Sequence, residues 1–335
     1  MNNIFVSVSS SIKCLSLCAV IAIAGNIAPA NAENTIAAAR QAKPFVVIDS
    51  IHYRDKGDMA VYGMKEYTIL YHSHLWPKSL RGKEDKEKIQ ALPPSDERIS
   101  DLVKNIAAAK SPVIYDIEHW PLDVRNSVTT AADDDISAAT RQVVDASMDK
   151  MIHIITTSRK VNPSVKYGYY SCVPLRDYWS PVKNDPEMLK KWRAANDYLK
   201  PLADSMDVIC PSLYAFYPDR DAWVKYAKAN IEEAKRIANG KPVYAYLWPK
   251  YHNSNKSEGK KIIEGGFWKL QLETVYNSGV DGIIIWDSPL VVNNPEDKVW
   301  DPNREWWKET VIFLKRINAQ QQTPDSETIG KIKKN

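Results

Sequence analysis

The sequence predicts an α/β protein folded as a single TIM-like (β/α) barrel, irregular and with seven clear strands. Short apolar runs alternate with longer segments of helical periodicity, and no change in composition marks a linker between residues 33 and 318. Such alternation implies a parallel sheet, and this many units in about 300 residues favour a barrel over a doubly wound sheet. No glycine-rich phosphate-binding motif follows the first strand, which argues against nucleotide binding.

The individual elements follow from the spacing of apolar residues. Strands are predicted from short apolar runs at residues 45–49, 67–71, 113–115, 165–170, 208–210, 242–247 and 282–286. Helices are predicted from helical spacing at residues 95–110, 137–160, 186–204, 221–238, 260–277 and 303–317. Ser95 is the expected N-cap of the first helix, and Pro186 occupies a first-turn position that proline favours.

The two ends of the chain are predicted to lie outside the barrel. Residues 1–32 resemble a secretory signal peptide, with one charged residue, an apolar run at 14–25 and a small-x-small cleavage site at 30–32. That run is too short to span a bilayer, so we expect no stable membrane insertion. The barrel domain is then expected at 33–318 and a polar flexible tail at 319–335, in a protein that is secreted or periplasmic.

Composition narrows the classes of partner. The formal net charge of +4 is far from the basic patch of a nucleic-acid-binding protein, so we expect no nucleic-acid partner. The chain has 11 Trp and 17 Tyr but only 5 Phe, and these amphipathic aromatics suit a sugar-binding cleft. Cys172 and Cys210 could pair in an oxidising compartment or remain two buried free thiols, and the sequence leaves both alternatives open.

Two carboxylates follow the third predicted strand directly. Asp116 and Glu118 are separated by one residue, so strand alternation points both to the same side, about 6.5 Å apart along the chain. Barrel enzymes keep their chemistry at the carboxyl ends of the strands. One of two neighbouring carboxylates tends to keep its proton, which provides a general acid beside a charged partner. A short D-x-E also occurs by chance on many strand ends, so the pair needs support from its surroundings.

The other predicted strand ends provide that support. Aromatic residues follow nearly every strand, at Tyr71, Trp120, Tyr169, Tyr170, Tyr214, Trp248 and Trp286. Core packing alone would favour Leu, Ile and Val at such positions, so these residues predict a glycan-binding groove with the two acids at its floor. Asp287 adds a third carboxylate near the same mouth. The expected partner is therefore a polysaccharide. We also expect the protein to be a monomer.

The histidines predict no metal centre. His72 and His74 have the i, i+2 spacing of metal ligands on a strand, but no third ligand is evident, so neither a metal nor another cofactor is expected. Strand alternation turns His119 away from its acidic neighbours, which favours a packing role.

Residues 116–120 resemble the D-x-E-x-W motif of the hyaluronidases, the family 56 glycoside hydrolases. Further segments are similar to motifs of that family and follow in its order, at residues 68–71, 75–77, 167–170, 211–214, 242–249 and 279–286. The resemblance spans about residues 66–288, although Asp287 stands where the family has Gly and Pro121 follows the Trp directly. The family's disulfide framework is absent.

The resemblance implies an endo-β-N-acetylhexosaminidase that acts by substrate-assisted retention. Glu118 would be the proton donor, and Asp116 would stabilise the acetamido nitrogen as the substrate's own carbonyl attacks. Tyr214 would bind the acetamido group, Trp286 would pack against its methyl group, and Tyr169 or Tyr170 would line the subsites.

Three alternatives stay open. A family 18 chitinase shares D-x-E and the mechanism, but its longer acidic run is missing upstream of Asp116. A non-catalytic glycan-binding protein could use the same barrel. A metal-dependent hydrolase would require His72 and His74 as ligands.

Overall fold

The structure, a computed structural model, describes residues 44–76, 92–125 and 138–322. The predicted signal peptide at 1–32 lies outside the described residues, as does most of the predicted tail. The described part contains parallel strands and surrounding helices, as the sequence predicted.

Six short strands form two parallel three-stranded sheets. They are β1 (Val46–Ile51), β2 (Thr68–Tyr71), β3 (Val113–Asp116), β4 (Tyr167–Tyr169), β5 (Tyr244–Leu247) and β6 (Gly282–Asp287). One sheet has the order β1-β6-β5 and the other β2-β3-β4. Each strand coincides with an apolar run of the sequence. Such a composition is typical of strands that are covered on both faces.

Backbone pairs between the two sheets close the ring into a barrel. Lys65, just before β2, exchanges hydrogen bonds with β1 at 2.8 and 2.9 Å. On the other side, residues 208–212 pair with both β4 and β5 through isolated parallel bridges. This segment is the predicted fifth strand, and Pro211 within it accepts a bond from Tyr246 but has no N–H to donate. Because this donor is missing, the segment pairs with its neighbours through single bridges and does not form a continuous ladder.

Helices surround the ring. They are α1 (His72–Leu75), α2 (Asp96–Val103), α3 (Ala138–Val161), α4 (Trp179–Lys183), α5 (Pro186–Tyr198), α6 (Lys200–Ser205), α7 (Arg220–Ala238), α8 (Gly265–Asn277) and α9 (Glu305–Gln322). The side chain of Ser95 caps α2, as predicted, by accepting a bond from the N–H of Arg98 at 3.2 Å. Within the described ranges, no helix is both long and apolar enough to cross a membrane.

Several predicted helix bounds were wrong. The helix predicted at 95–110 ends at Val103, and the helix predicted at 260–277 begins at Gly265. The single helix predicted at 186–204 is split at Leu199, whose ψ of 5° leaves the helical region. Pro201 lies in the first turn of α6, where the N–H that it lacks would have no partner within the helix. The closing helix continues to Gln322, so the first residues of the predicted flexible tail belong to α9.

Alternation along the strands separates an outer and an inner face of the barrel. Outward residues pack on α3, where the hydroxyl groups of Tyr115 and Ser158 lie 2.6 Å apart. Inward residues form a separate buried cluster that includes Ile48, Ile114 and Ile284. Two residues beyond Ile114 the same inward face reaches Asp116, so the strand pattern itself points this acid into the mouth.

β1 and β6 approach so closely that only glycine fits at the start of β6. A Cβ atom on Gly282 would lie 2.2 Å from the carbonyl oxygen of Val46, well inside van der Waals contact. Gly282 therefore sets the register that carries Trp286 to the mouth, opposite Ser50.

Candidate active site

Asp116 and Glu118 form a hydrogen-bonded pair at the carboxyl end of β3. Asp116 is the last residue of the strand and is half-buried, whereas Glu118 is exposed. Burial raises the pKa of Asp116 to about 7, and the charge of Glu118 and the bond between the two side chains act in the same direction. Near neutral pH the pair therefore holds a proton that an isolated aspartate would have lost.

Glu118 lies at the boundary of two cavities. The first has a volume of about 340 Å³, and its walls include Asp116, Glu118, Tyr170, Tyr214, Trp248 and Trp286. The second has a volume of about 450 Å³, and its walls include Glu118, Trp120, Asp123, Arg125, Tyr170 and Arg176. A chain molecule that filled both cavities would pass directly over Glu118.

Three aromatic rings form a continuous wall of the first cavity. Tyr214 and Trp286 stack with centroids 6.1 Å apart and an interplanar angle of 25°. Trp248 packs edge-on against Trp286 at 5.0 Å. Burial raises the pKa of Tyr214 well above its ordinary value, so its hydroxyl group stays protonated. The wall combines flat apolar faces with a polar edge, which suits a sugar ring.

Tyr71 supports this wall from behind. Its hydroxyl oxygen accepts a hydrogen bond from the indole N–H of Trp286 at 3.3 Å and lies 3.3 Å from Nε2 of His52. Tyr71 lies outside both cavity linings and contacts a residue of the wall, and its binding to substrate stays a prediction.

Tyr169 does not reach either cavity. Its hydroxyl group donates to the carbonyl of Met151 in α3 at 2.9 Å, because residues of this parity point out of the barrel. Tyr170 has the opposite parity and lines both cavities. Of the two tyrosines left open by the sequence, the structure therefore selects Tyr170.

The prediction that Asp287 lies at the mouth and binds substrate was wrong. Only 1% of it is exposed, and its carboxylate is paired with the ammonium group of Lys250. The indole N–H of Trp248 donates to the same carboxylate at 3.0 Å, and the hydroxyl group of Tyr53 donates at 3.2 Å. Asp287 thus anchors Trp248 from below and lies outside both cavity linings, because its parity on β6 is opposite to that of Trp286.

His252 and Arg176 are among the residues of the first cavity that were not predicted from the sequence. Both lie on loops well beyond their strands, and no local pattern marks them. Burial lowers the pKa of His252 to about 4, and the charge of Arg176 adds to the effect, so the ring is neutral. Nδ1 of His252 accepts the backbone N–H of Ser254 at 3.2 Å, which leaves the proton on Nε2 as a hydrogen-bond donor.

His72, His74 and His119 are held by contacts with neighbouring residues of the chain. His72 and His74 lie in α1 rather than on a strand, and Nδ1 of His74 accepts the N–H of Tyr71 at 3.0 Å. His119 packs edge-on against Trp76 at 5.1 Å, as the alternation predicted. In the described ranges no cluster of three or more His, Cys, Asp or Glu could hold a metal ion.

Cys172 and Cys210 are both buried free thiols. Of the two alternatives that the sequence left open, the structure therefore selects the unpaired one.

Comparison with known proteins identifies hyaluronidases as distant relatives. No family model matches the chain. A hyaluronidase of Loxosceles intermedia is 24% identical over 157 residues, which cover 45% of this chain and 38% of that protein. A hyaluronidase of Polybia paulista is 28% identical over 156 residues, which cover 43% of this chain and 50% of that protein. The chain thus spans half or less of the length of these relatives.

The similarity in fold extends further than the similarity in sequence. Bee venom hyaluronidase, solved in complex with a hyaluronic acid tetramer, superimposes with a TM-score of 0.56 at 17% identity and covers 76% of this chain and 93% of that one. A second crystal form of the same enzyme gives a TM-score of 0.55 over 83% of this chain. The chain is therefore a hyaluronidase-like TIM barrel, a distant relative of these proteins.

Proposed function

We propose that the protein is an endo-β-N-acetylhexosaminidase that hydrolyses an acetamido-sugar polysaccharide with retention of configuration. The observation that carries this proposal is the hydrogen-bonded Asp116–Glu118 pair, whose Glu118 lines two cavities, one of them walled by Tyr214, Trp248 and Trp286. A proton donor with sugar-sized space on either side is the arrangement needed to cleave an internal glycosidic bond.

Glu118 is the proton donor. It is exposed at the junction of the cavities, where the oxygen of the scissile bond would lie. The proton that the pair retains near neutral pH passes to the leaving oxygen, and the C1–O bond breaks. Negative charge then remains on the pair, where it stabilises the positive charge developing on the sugar.

The nucleophile comes from the substrate. Among the described residues that line the first cavity, Asp116 and Glu118 are the sole carboxylates, and both already have a role. The carbonyl oxygen of a 2-acetamido group would attack C1 from within the same sugar, while Asp116 accepts the acetamido N–H. Water, deprotonated by Glu118, then opens the cyclic intermediate and restores the β-anomer.

Arg176 favours an acidic polymer over a neutral one. It lines both cavities beside Glu118, and its guanidinium group lies 4.9 Å above the ring of Phe216. Within the described residues no carboxylate pairs with this guanidinium group, so its charge is available to a ligand. A carboxylate on the sugar next to the acetamido sugar, as in hyaluronan, would complete the pair.

The remaining parts of the proposal concern the state of the protein. We propose that it is secreted or periplasmic, on the basis of the signal-peptide pattern at residues 1–32, and that it acts as a monomer.

The test is release of reducing ends from hyaluronan, chondroitin, chitin oligomers and peptidoglycan glycan, with wild type beside Glu118→Gln. Loss of general acid catalysis is expected to slow turnover by about 10²–10⁴-fold. Glu232→Gln, an exposed glutamate on α7, is the matched control and should retain wild-type rates. Cleavage that survives in Glu118→Gln would refute the assigned donor. Binding of glycans without cleavage by wild type would instead identify a glycan-binding protein.

A further inference from the structure

Two large aromatic side chains that line neither cavity lie exposed on the protein surface. Trp179 is 49% exposed and Tyr217 is 38% exposed, and their ring centroids are 5.5 Å apart. Both rings rest on Tyr178, at 5.0 and 5.3 Å. We call Trp179 and Tyr217 the aromatic shelf. Exposed aromatic groups of this kind mark a binding surface when they adjoin a known cleft.

The shelf is joined to the first cavity by an unbroken series of ring contacts. Tyr178, beneath the shelf, contacts Phe216 at 5.8 Å. Phe216 contacts His252 at 4.8 Å, and His252 contacts Tyr214 at 6.4 Å. His252 and Tyr214 line the first cavity, where the proposed reaction occurs. Ring contacts therefore connect the shelf to the first cavity through the buried side chains of Tyr178 and Tyr214.

Buried polar contacts hold in place the start of α4, which carries Trp179. The carboxylate of Asp177 accepts hydrogen bonds from the N–H and the hydroxyl group of Ser180, both at 2.8 Å, and so fixes the start of α4. Arg125, a wall residue of the second cavity, donates to the same carboxylate at 2.7 Å. Because these contacts fix Trp179 before any ligand arrives, little ordering entropy is lost when a ligand binds.

We propose that the aromatic shelf is a remote sugar subsite for the same polysaccharide chain, an inference that rests on the proposed function. Its flat rings offer the apolar surface against which the C–H face of a pyranose ring packs. The ammonium group of Lys183 lies 5.6 Å from the ring of Trp179, which places a positive charge beside the shelf, as an acidic polymer requires. A sugar bound there anchors the chain at a distance from the bond that is cleaved.

The test compares a hyaluronan tetrasaccharide with a hyaluronan decasaccharide. Binding of each to Glu118→Gln protein is measured by calorimetry, with and without Trp179→Ala and Tyr217→Ala. Each truncation is expected to weaken decasaccharide binding by about 2- to 10-fold and to leave tetrasaccharide binding unchanged. Trp179→Phe should restore most of the loss because it keeps a flat ring, and Ile312→Ala, an exposed truncation on α9, should change neither affinity.

The outcomes separate the subsite from the reaction. Equal loss for both oligosaccharides, or no loss for either, would overturn the shelf as a remote subsite, whatever the cleavage assay finds. Loss confined to the decasaccharide supports the subsite even if wild type cleaves no polymer, in which case only the proposed hydrolysis fails.

Discussion

Replacement of Asp116 by asparagine is expected to stabilise the fold at alkaline pH. Burial raises the pKa of Asp116 from 3.8 to about 7. At 1.36 kcal/mol per pH unit, this difference corresponds to on the order of 4 kcal/mol, of which solvent screening at the half-buried carboxylate removes a part. Asparagine has nearly the same shape and carries no charge, so it removes the cost of the buried carboxylate.

The pH window follows from the proton on Asp116. Below pH 3.8 folded and unfolded states both carry that proton, and its stabilising contribution is fully present. Between pH 3.8 and about 7 the unfolded chain releases the proton while the folded protein keeps it, so the free energy of unfolding falls as pH rises. Above that window the contribution is lost, and wild type should be less stable than Asp116→Asn.

Urea unfolding of wild type and Asp116→Asn from pH 4 to pH 8 measures this difference. The two curves of free energy against pH should diverge by about 2–4 kcal/mol, with the variant more stable at pH 8. Asp101→Asn is the matched control, since Lys104 lowers the pKa of this exposed carboxylate and its removal should give no such divergence. Parallel curves for wild type and Asp116→Asn would refute a raised pKa in the folded protein.

Three further predictions concern a buried ion pair, the contact between β1 and β6, and the recognition of an acidic substrate. Lys250→Met leaves the carboxylate of Asp287 buried without its counter-ion and should cost about 3–5 kcal/mol in the free energy of unfolding, measured by urea denaturation; an unchanged midpoint would contradict the buried pair. Gly282→Ala places a methyl group 2.2 Å from the carbonyl oxygen of Val46, so it should lower the thermal midpoint by several degrees or prevent folding, and wild-type stability would contradict the close strand contact. Arg176→Gln should raise KM for hyaluronan about 10-fold and leave KM for chitin oligomers unchanged, and equal effects on both would argue against recognition of a carboxylate.

The sequence predicted the barrel well because its strands are short apolar runs that alternate with segments of helical periodicity. Asp116 and Glu118 could be placed from local alternation, since both follow one strand within two residues. The same alternation also separates Tyr169 from Tyr170, since Tyr169 is opposite the outward-facing Tyr115 in the β3–β4 pair and Tyr170 has the opposite parity.

The residues that were wrongly predicted or missed have positions that depend on distant parts of the chain. Asp287 was predicted to lie at the mouth because it follows a strand. It is instead buried in contacts with Lys250 and Tyr53, which come from two other strand ends. Arg176 and His252 reach the cavity on long loops, whose paths no periodic pattern predicts. Long-range pairing decides these positions, and a single sequence carries no direct signal of it.

Substrate assistance is tested most directly by varying the nucleophile on the substrate. Oligosaccharides that carry N-acetyl, N-fluoroacetyl, N-difluoroacetyl or N-trifluoroacetyl groups differ mainly in the nucleophilicity of the carbonyl oxygen. If that oxygen attacks C1 while Glu118 protonates the leaving group, kcat/KM should fall steeply with each added fluorine. Rates that do not change along the series would contradict substrate assistance and would require a nucleophile supplied by the protein.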